Sequence, residues 1–142
     1  MAGARLSHVA ICTADLERSV RFYTQALGFA VERTVEIGPP FDALTELPGL
    51  AARGVFLMSG DLKLELLGYE RPPAVGAAEK RPMNQLGLTH LAVTVDDFEA
   101  VVRRIEQHGG RAYPQTKVET SFGQMVFCTD PDGVRIEVWQ KP

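Results

Sequence analysis

Four residues of the types that bind metal ions stand in mostly apolar stretches of this sequence: His8, Glu65, His90 and Glu137. Two imidazoles and two carboxylates form a donor set suited to a six-coordinate divalent ion such as Ni, Co, Mn, Fe or Zn, with positions left for water or for substrate oxygens. The two carboxylate charges also neutralise a doubly charged ion. We therefore predict that these four residues are the ligands of one divalent metal ion.

Each of these residues, taken alone, has a simpler structural explanation. A single histidine in an apolar strand is more often a hydrogen-bonded core residue than a ligand. A glutamate on an alternating strand commonly faces solvent, and Lys63 shares the face of Glu65 and could form an ion pair with it. Arg135 stands in the same relation to Glu137. The metal site is favoured because two of the three histidines in the chain occupy equivalent places in an internal repeat.

The repeat becomes visible when the chain is laid on itself so that His8 meets His90. The segment Leu6–Ile11 (LSHVAI) then aligns with Leu88–Val93 (LTHLAV), and the sequences around the two glutamates, Leu-Glu-Leu and Ile-Glu-Val, also correspond. Each half therefore begins on a histidine strand and ends on a glutamate strand. The predicted bounds are 1–70 for the first module, 71–87 for a Pro-rich linker and 88–142 for the second module, together forming one domain.

Local patterns predict one helix after each histidine strand and three extended runs after each helix. In the second half, Asp96 and Glu99 have the spacing of a helix capping box, and Gly109 ends the helix. The sequence of residues 130–133, Asp-Pro-Asp-Gly, matches a type I turn and predicts a hairpin directly before Glu137. The extended runs are residues 29–37, 54–59 and 62–69, then 112–118, 124–129 and 134–140. The order βαβββ thus occurs twice, which predicts an α+β fold of two tandem modules.

The composition argues against several classes of function. With 45% hydrophobic and 23% charged residues, the chain has the balance of a globular protein. A net charge of -3 without a basic cluster argues against nucleic acid as a partner. The sequence has no stretch of about 18 apolar residues and no signal-peptide pattern, so we expect a cytoplasmic protein without a membrane span. Cys12 and Cys128 lie in apolar runs, which predicts two buried thiols.

Several segments, taken in order, resemble the vicinal oxygen chelate superfamily of glyoxalases, bleomycin resistance proteins and extradiol dioxygenases. The segments that carry the resemblance are residues 6–11, 15–23, 27–29, 90–93, 95–97 and 130–137. The resemblance covers essentially the full length of the chain. It implies two βαβββ modules whose curved mixed sheets enclose a metal-centred cavity. The ligand positions of the family fall on His8, Glu65, His90 and Glu137.

The four-ligand set resembles that of glyoxalase I, whose metal chelates neighbouring oxygens of a small substrate and stabilises an enediolate-like intermediate. In that enzyme a carboxylate ligand also moves the proton, so the resemblance implies that Glu137 or Glu65 is both ligand and base. We therefore expect a lyase or isomerase that acts on a small molecule. We also expect a homodimer, which is common among members of the fold.

Other members of the superfamily leave alternatives open. The residues after Glu65 do not resemble the thiol-conjugate-binding sequence of glyoxalase I. Methylmalonyl-CoA epimerase resembles residues 62–67 but has a catalytic glutamate where this chain has Gly49. Extradiol dioxygenases use Fe(II) with two histidines and one glutamate, and Glu65 would fill a position they leave open. Thiol-transferring fosfomycin-resistance enzymes use a different three-ligand set. A dioxygenase and a metal-free antibiotic-binding protein are the alternatives that we retain.

A few further residues carry weaker expectations. His108 ends a helix, where a cation interacts favourably with the helix dipole, so its predicted role is structural. Phe41, Leu44 and Leu47 lie in a long loop and could form a mobile flap over the site. Residues that fit either the core or a cavity wall are Tyr113, Phe122, Met125 and Trp139.

Overall fold

The computed structural model describes residues 3–142, which form two mixed β-sheets and few helices, the α+β fold that the sequence predicted. In chain order, the strands are β1 (Val9–Thr13), β2 (Ala30–Ile37), β3 (Ala51–Ser59), β4 (Leu62–Arg71), β5 (Leu91–Thr94), β6 (Arg111–Ala112), β7 (Val118–Thr120), β8 (Gly123–Thr129) and β9 (Arg135–Gln140). The α-helices are α1 (Leu16–Gln25), α2 (Phe41–Thr45) and α3 (Phe98–Gln107). Two compact units result, unit 1 with residues 3–20 and 28–75 and unit 2 with residues 21–27 and 76–142.

Unit 1 is built on a four-stranded sheet in the order β1-β4-β3-β2, in which β1 and β4 run parallel and the other pairs antiparallel. Leu64 and Leu66 of β4 are fully buried on one face of this sheet. On the same face, Gly68 lets helix α1 approach closely, since a Cβ added there would lie 2.8 Å from Leu16 Cβ. Because side chains alternate along a strand, Glu65 emerges on the opposite face.

Unit 2 repeats this plan with a sheet in the order β5-β9-β8-β6, and β7 also pairs with β8. Ile136 and Val138 of β9 are fully buried, so Glu137 between them lies on the opposite face. Helix α3 contributes the fully buried Ile105 to the core of unit 2. Each sheet therefore has one packed face and one face that carries a predicted ligand.

The predicted turn at residues 130–133 is present and is held by its first residue. The Gly133 amide donates to the carbonyl oxygen of Asp130 at 3.2 Å. Asp130 Oδ1 accepts hydrogen bonds from the amides of Asp132 at 2.9 Å and Val134 at 2.8 Å, and Asp130 Oδ2 accepts one from the Tyr23 hydroxyl at 3.0 Å. Burial raises the pKa of the Asp130 carboxyl above its usual range, although these hydrogen bonds oppose the shift.

One predicted strand is interrupted. The run at residues 112–118 is not continuous, because a 3₁₀-helix over Pro114–Thr116 separates β6 from β7. Pro114 has no N–H to donate to a strand neighbour and stands at the first position of this turn, where none is needed. The Thr116 hydroxyl accepts the hydrogen bond from the Phe127 amide at 2.9 Å, so a side chain substitutes for the missing ladder contact.

Two smaller expectations are corrected. The side chain that caps helix α3 belongs to Asp97, which accepts from the Ala100 amide at 2.9 Å, and not to Asp96. Cys128 is buried as expected, whereas Cys12 is exposed because it alternates onto the face of β1 away from the packed core. Among residues 3–142, no helix has the length and apolar character that crossing a bilayer requires.

Candidate metal site

The first predicted ligand pair meets within unit 1. β1 and β4 are parallel neighbours with Ala10 opposite Glu65, so His8, two residues earlier on the same face, lies beside that glutamate. His8 Nε2 is 3.1 Å from Glu65 Oε2, and the two side chains are 34% and 12% exposed. The pair is thus partly shielded from water while the imidazole remains accessible.

Two neighbours orient the His8 ring. Ser7 Oγ lies 3.0 Å from His8 Nδ1, and the Phe56 ring meets the imidazole edge-on, with ring centroids 5.3 Å apart and planes at 83°. A hydrogen bond at Nδ1 fixes the ring orientation and leaves Nε2 as the nitrogen available to a metal, a common arrangement for ligating histidines. Nε2 is also the atom that faces Glu65.

Unit 2 contains a second pair of the same construction. Ala92 lies opposite Glu137 on the parallel strands β5 and β9, and His90 Nε2 is 3.6 Å from Glu137 Oε2. Thr89 Oγ1 lies 2.9 Å from His90 Nδ1, and the Phe127 ring is 5.3 Å away at 82°. The histidine–glutamate pair, the neighbouring hydroxyl and the aromatic ring therefore recur in both units.

The alternative partners of the glutamates are engaged elsewhere. Lys63 forms an ion pair with Glu32 at 3.0 Å instead of with Glu65. The guanidinium Nε of Arg135 donates to the Arg81 carbonyl oxygen at 2.8 Å. The simpler explanation, in which each glutamate serves a cross-strand ion pair with the basic residue on its own face, is therefore not what the structure contains.

The separation within the first pair matches that of two ligands on one ion. Two donors about 2.1 Å from one ion and at right angles to each other lie about 3.0 Å apart, close to the 3.1 Å of the first pair, whereas the second pair is wider, at 3.6 Å. Each pair supplies two donors. Within residues 3–142, the structure assembles no group of three or more His, Cys, Asp or Glu side chains that could hold a metal. The structure thus brings His8 to Glu65 within unit 1 and His90 to Glu137 within unit 2.

Gly54 is a residue near the first pair that sequence reasoning missed. A Cβ placed on Gly54 of β3 would lie 2.7 Å from Glu65 Oε1 and 3.1 Å from Val35 Cγ2, so the carboxylate rests on the bare backbone. The corresponding position in unit 2, found from the strand register relative to Glu137, is occupied by Met125. An isolated glycine inside a strand pattern is a sign of close approach and could have indicated this contact.

A cavity of about 810 Å³ lies at the edge of the sheet in unit 1. Its wall includes Tyr69 of β4, together with Gly38, Pro39 and Leu50 from the long loop. The pKa of the Tyr69 hydroxyl is raised, first by burial and then by the nearby groups of Cys12 and Glu65. The residues named as a flap behave differently, since Phe41 and Leu44 are exposed and Leu47 is half-buried, and none of the three lines the cavity.

The chain is similar in sequence and fold to several known proteins. The family model described as the Glyoxalase/Bleomycin resistance protein/Dioxygenase superfamily matches residues 5–138. The human mitochondrial methylmalonyl-CoA epimerase is 30% identical over 96% of this chain and 73% of its own length. The lactoylglutathione lyase of Salmonella typhimurium is 28% identical over 94% and 90%. A glyoxalase family protein from Bacillus cereus has the same fold, with a TM-score of 0.86 and 20% identity over 99% of this chain and 98% of its own.

Proposed function

Because this chain belongs to the glyoxalase/bleomycin resistance protein/dioxygenase superfamily, we propose that it is a divalent-metal-dependent enzyme of the glyoxalase I-like type. It acts as a lyase or isomerase on a small oxygen-bearing substrate. The proposed ligands are His8, Glu65, His90 and Glu137. Relatives that carry out lyase and epimerase reactions support an enzyme over a structural role.

The recurrence of the same histidine–glutamate pair in both units carries this proposal. In each pair a hydroxyl neighbour holds Nδ1 and leaves Nε2 facing a carboxylate oxygen, at 3.1 Å in the first pair and 3.6 Å in the second. A core histidine needs neither an accessible second nitrogen nor an adjacent acid. The duplication of all these features favours a shared task for the two pairs.

A divalent ion held by these residues supplies Lewis-acid stabilisation of negative charge on two neighbouring substrate oxygens. In both histidines the hydroxyl contact at Nδ1 anchors the ring and keeps the donor nitrogen Nε2 in place. Glu137 is better suited than Glu65 to move a proton, because it is more exposed, at 23% against 12%, and stands farther from its histidine. Glu65 serves mainly as a fixed ligand, and both carboxylates lie where a substrate proton could be transferred.

A four-ligand site requires the two pairs to act on the same ion. We propose that the chain functions as a homodimer and that each ion is bound by one His8–Glu65 pair and one His90–Glu137 pair. Sedimentation of the protein with and without the metal tests this, since an ion shared between chains would raise the dimer fraction and an ion held within one chain would not.

Metal analysis tests the ligand assignment directly. Purified protein is stripped, reconstituted separately with Ni, Co, Mn, Fe and Zn, and analysed beside His8→Ala and Glu137→Ala. His108→Ala is the matched control, because His108 is the third histidine of the chain and stands at the end of α3. We expect about one ion per chain in the wild type and the control, and a loss in both ligand variants. Wild-type metal content no higher than that of the two ligand variants would remove the enzyme proposal and favour a metal-free binding protein.

The reaction type is then separated by two assays on metal-loaded protein. Solvent deuterium exchange into 2-oxo substrates under anaerobic conditions reports proton abstraction, as expected for a lyase or isomerase. Oxygen uptake with catechols reports extradiol cleavage. Exchange without oxygen uptake supports the proposal, and the reverse result would establish the dioxygenase alternative.

A further inference from the structure

Unit 2 contains a second cavity, of about 570 Å³, that the metal site does not use. Three of the residues that line it form a cluster, namely Lys80 from the segment before β5, Arg111 of β6 and Tyr113. Lys80 Nζ lies 4.0 Å from the centroid of the Tyr113 ring, and Arg111 Cζ lies 5.3 Å from the same centroid. Two cationic side chains thus share one aromatic ring at the cavity wall.

Among the residues that the structure describes, these two cations have no acidic partner. In the described chain, residues 3–142, neither Lys80 nor Arg111 takes part in an ion pair within 4.0 Å. Lys80 is half-buried, which reduces the water available to its ammonium group. Arg111 is exposed, and both cations lie within 5.3 Å of one ring centroid. Like charges this close repel each other, and an anion that contacts both would offset the repulsion.

The acidic residues at the cavity do not supply this anion. Asp130 is buried, and both of its oxygens already accept hydrogen bonds. Burial favours its protonated form. Glu79 is exposed, its backbone packs against the turn at Gly133, and within residues 3–142 its carboxylate forms no ion pair within 4.0 Å. The two cations at this wall, Lys80 and Arg111, therefore stand against one exposed carboxylate.

The strand register relates Arg111 at the cavity wall to Glu137 of the second pair. Arg111 lies opposite Thr129, and Thr129 lies opposite Arg135, so these residues form one row across the sheet. The next row on the same face contains Phe127 and Glu137. Rows two residues apart along a strand are about 7 Å apart. A small molecule held at Lys80 and Arg111 could therefore reach Glu137 with its other end.

We propose that this cavity binds an oxyanion, a carboxylate or phosphate, and that the substrate of the site is a small molecule carrying such a group. Lys80 and Arg111 bind the anion through charge-assisted hydrogen bonds, and Arg111 offers the paired donors that suit planar or tetrahedral oxygens. The assignment of this anion to the substrate rests on the proposed function of Glu137. The oxyanion site itself does not.

Anion titration of the full-length protein tests the proposal, as purified and again after removal of metal with EDTA. Inorganic phosphate and acetate are added separately at constant ionic strength, and ¹H–¹⁵N NMR shifts of residues 111 and 113 and of the Arg111 Nε–H are followed. We expect saturable binding of at least one probe, and the comparison of the two probes identifies which oxyanion the cavity prefers. Lys80→Gln and Arg111→Gln should each weaken binding by about tenfold, because each removes one charged hydrogen-bond partner.

Lys141→Gln is the matched control, because Lys141 Nζ also lies over an aromatic ring, that of Trp139 at 5.2 Å, but does not line the cavity. Unchanged binding in this variant supports a local site. Equal weakening in all three variants, or no saturation in the wild type, would overturn the inference and indicate an electrostatic effect of net charge. Phosphate binding without metal binding would leave the oxyanion site standing and remove only its link to Glu137. Thermal unfolding of each variant confirms that its fold is intact.

Discussion

Replacing Gly54 with alanine should displace the Glu65 carboxylate and leave the stability of the fold nearly unchanged. The added methyl group would lie 2.7 Å from Glu65 Oε1 and 3.1 Å from Val35 Cγ2. The first contact involves the far end of a flexible side chain, which can move. The strand backbone itself accepts alanine, because no positive φ is found at this glycine.

The size of the effect follows from these distances. To regain ordinary contact, Glu65 Oε1 must withdraw by about 0.7 Å, whereas metal sites tolerate ligand displacements of only about 0.2 Å. We therefore expect metal affinity to fall by about 10- to 100-fold, the range seen when a residue that supports a ligand is changed. The unfolding free energy should change by less than about 1 kcal/mol, since the tight contact with Val35 is offset by the reduced entropy of the unfolded chain.

Gly68→Ala is the matched control on the adjacent strand. Its added methyl group would lie 2.8 Å from Leu16 Cβ, an atom that cannot rotate away from the helix backbone. Overpacking of this kind costs about 1 to 3 kcal/mol. Because Gly68 faces the packed side of the sheet and Glu65 the other, this variant should lose stability and keep its metal affinity.

Competition with a metal chelator measures affinity, and urea unfolding of the stripped protein measures stability. We expect Gly54→Ala to lose metal affinity but not stability, and Gly68→Ala to lose stability but not metal affinity. Adding Glu65→Asp to Gly54→Ala shortens the carboxylate and should recover part of the affinity. If Gly54→Ala binds metal as tightly as the wild type, the contact does not position Glu65 and the reasoning fails.

Three further predictions concern the scaffold. Asp97→Ala should lower the unfolding free energy by about 1 kcal/mol in urea, as loss of a helix cap does, whereas Asp96→Ala should not; equal losses would contradict the assigned cap. Burial raises the pKa of Cys128 to about 12, so iodoacetamide at pH 8 should label exposed Cys12 first, and equal labelling by mass spectrometry would refute this. Burial raises the pKa of Asp130 in the folded protein above its unfolded value of about 3.9. Protonated Asp130 therefore stabilises the fold below that pH, and this contribution is lost as the pH rises through the folded pKa. The difference in unfolding free energy between wild type and Asp130→Asn should accordingly shrink from pH 3.5 to 7, and a constant difference would exclude the effect.

Much of the fold could be predicted because local signals agreed with the final structure. The turn sequence at residues 130–133 needs only its own side chains and backbone to close, and it formed as predicted. The break between β6 and β7 was visible in principle at Pro114 but was outweighed by the surrounding strand-forming residues. The exposure of Cys12 was misjudged because an apolar run does not reveal which of its alternate residues faces the core.

The candidate site was predictable only in part. The repeat indicated equivalent roles for the two histidine–glutamate pairs, and the strand pairing brings each pair to within 3.6 Å. The parallel register that places Ala10 beside Glu65 cannot be read from the sequence, because it depends on how distant strands meet. Gly54 and the Lys80–Arg111–Tyr113 cluster depend on such long-range contacts and were therefore not foreseen. Assignment of the four residues as ligands stays a prediction for the metal analysis to decide.

The two histidine–glutamate pairs differ in ways that suit different roles for their glutamates. In unit 1, Gly54 leaves space into which Glu65 settles, and the carboxylate is correspondingly closer to its histidine and better shielded. In unit 2, the Met125 side chain stands at the corresponding place, and Glu137 is farther from its histidine and more exposed. A carboxylate that must leave and rejoin its position to carry a proton cannot be held as tightly as one that only binds. We therefore propose that the difference between Gly54 in one unit and Met125 in the other favours Glu65 as a fixed ligand and Glu137 as the proton carrier.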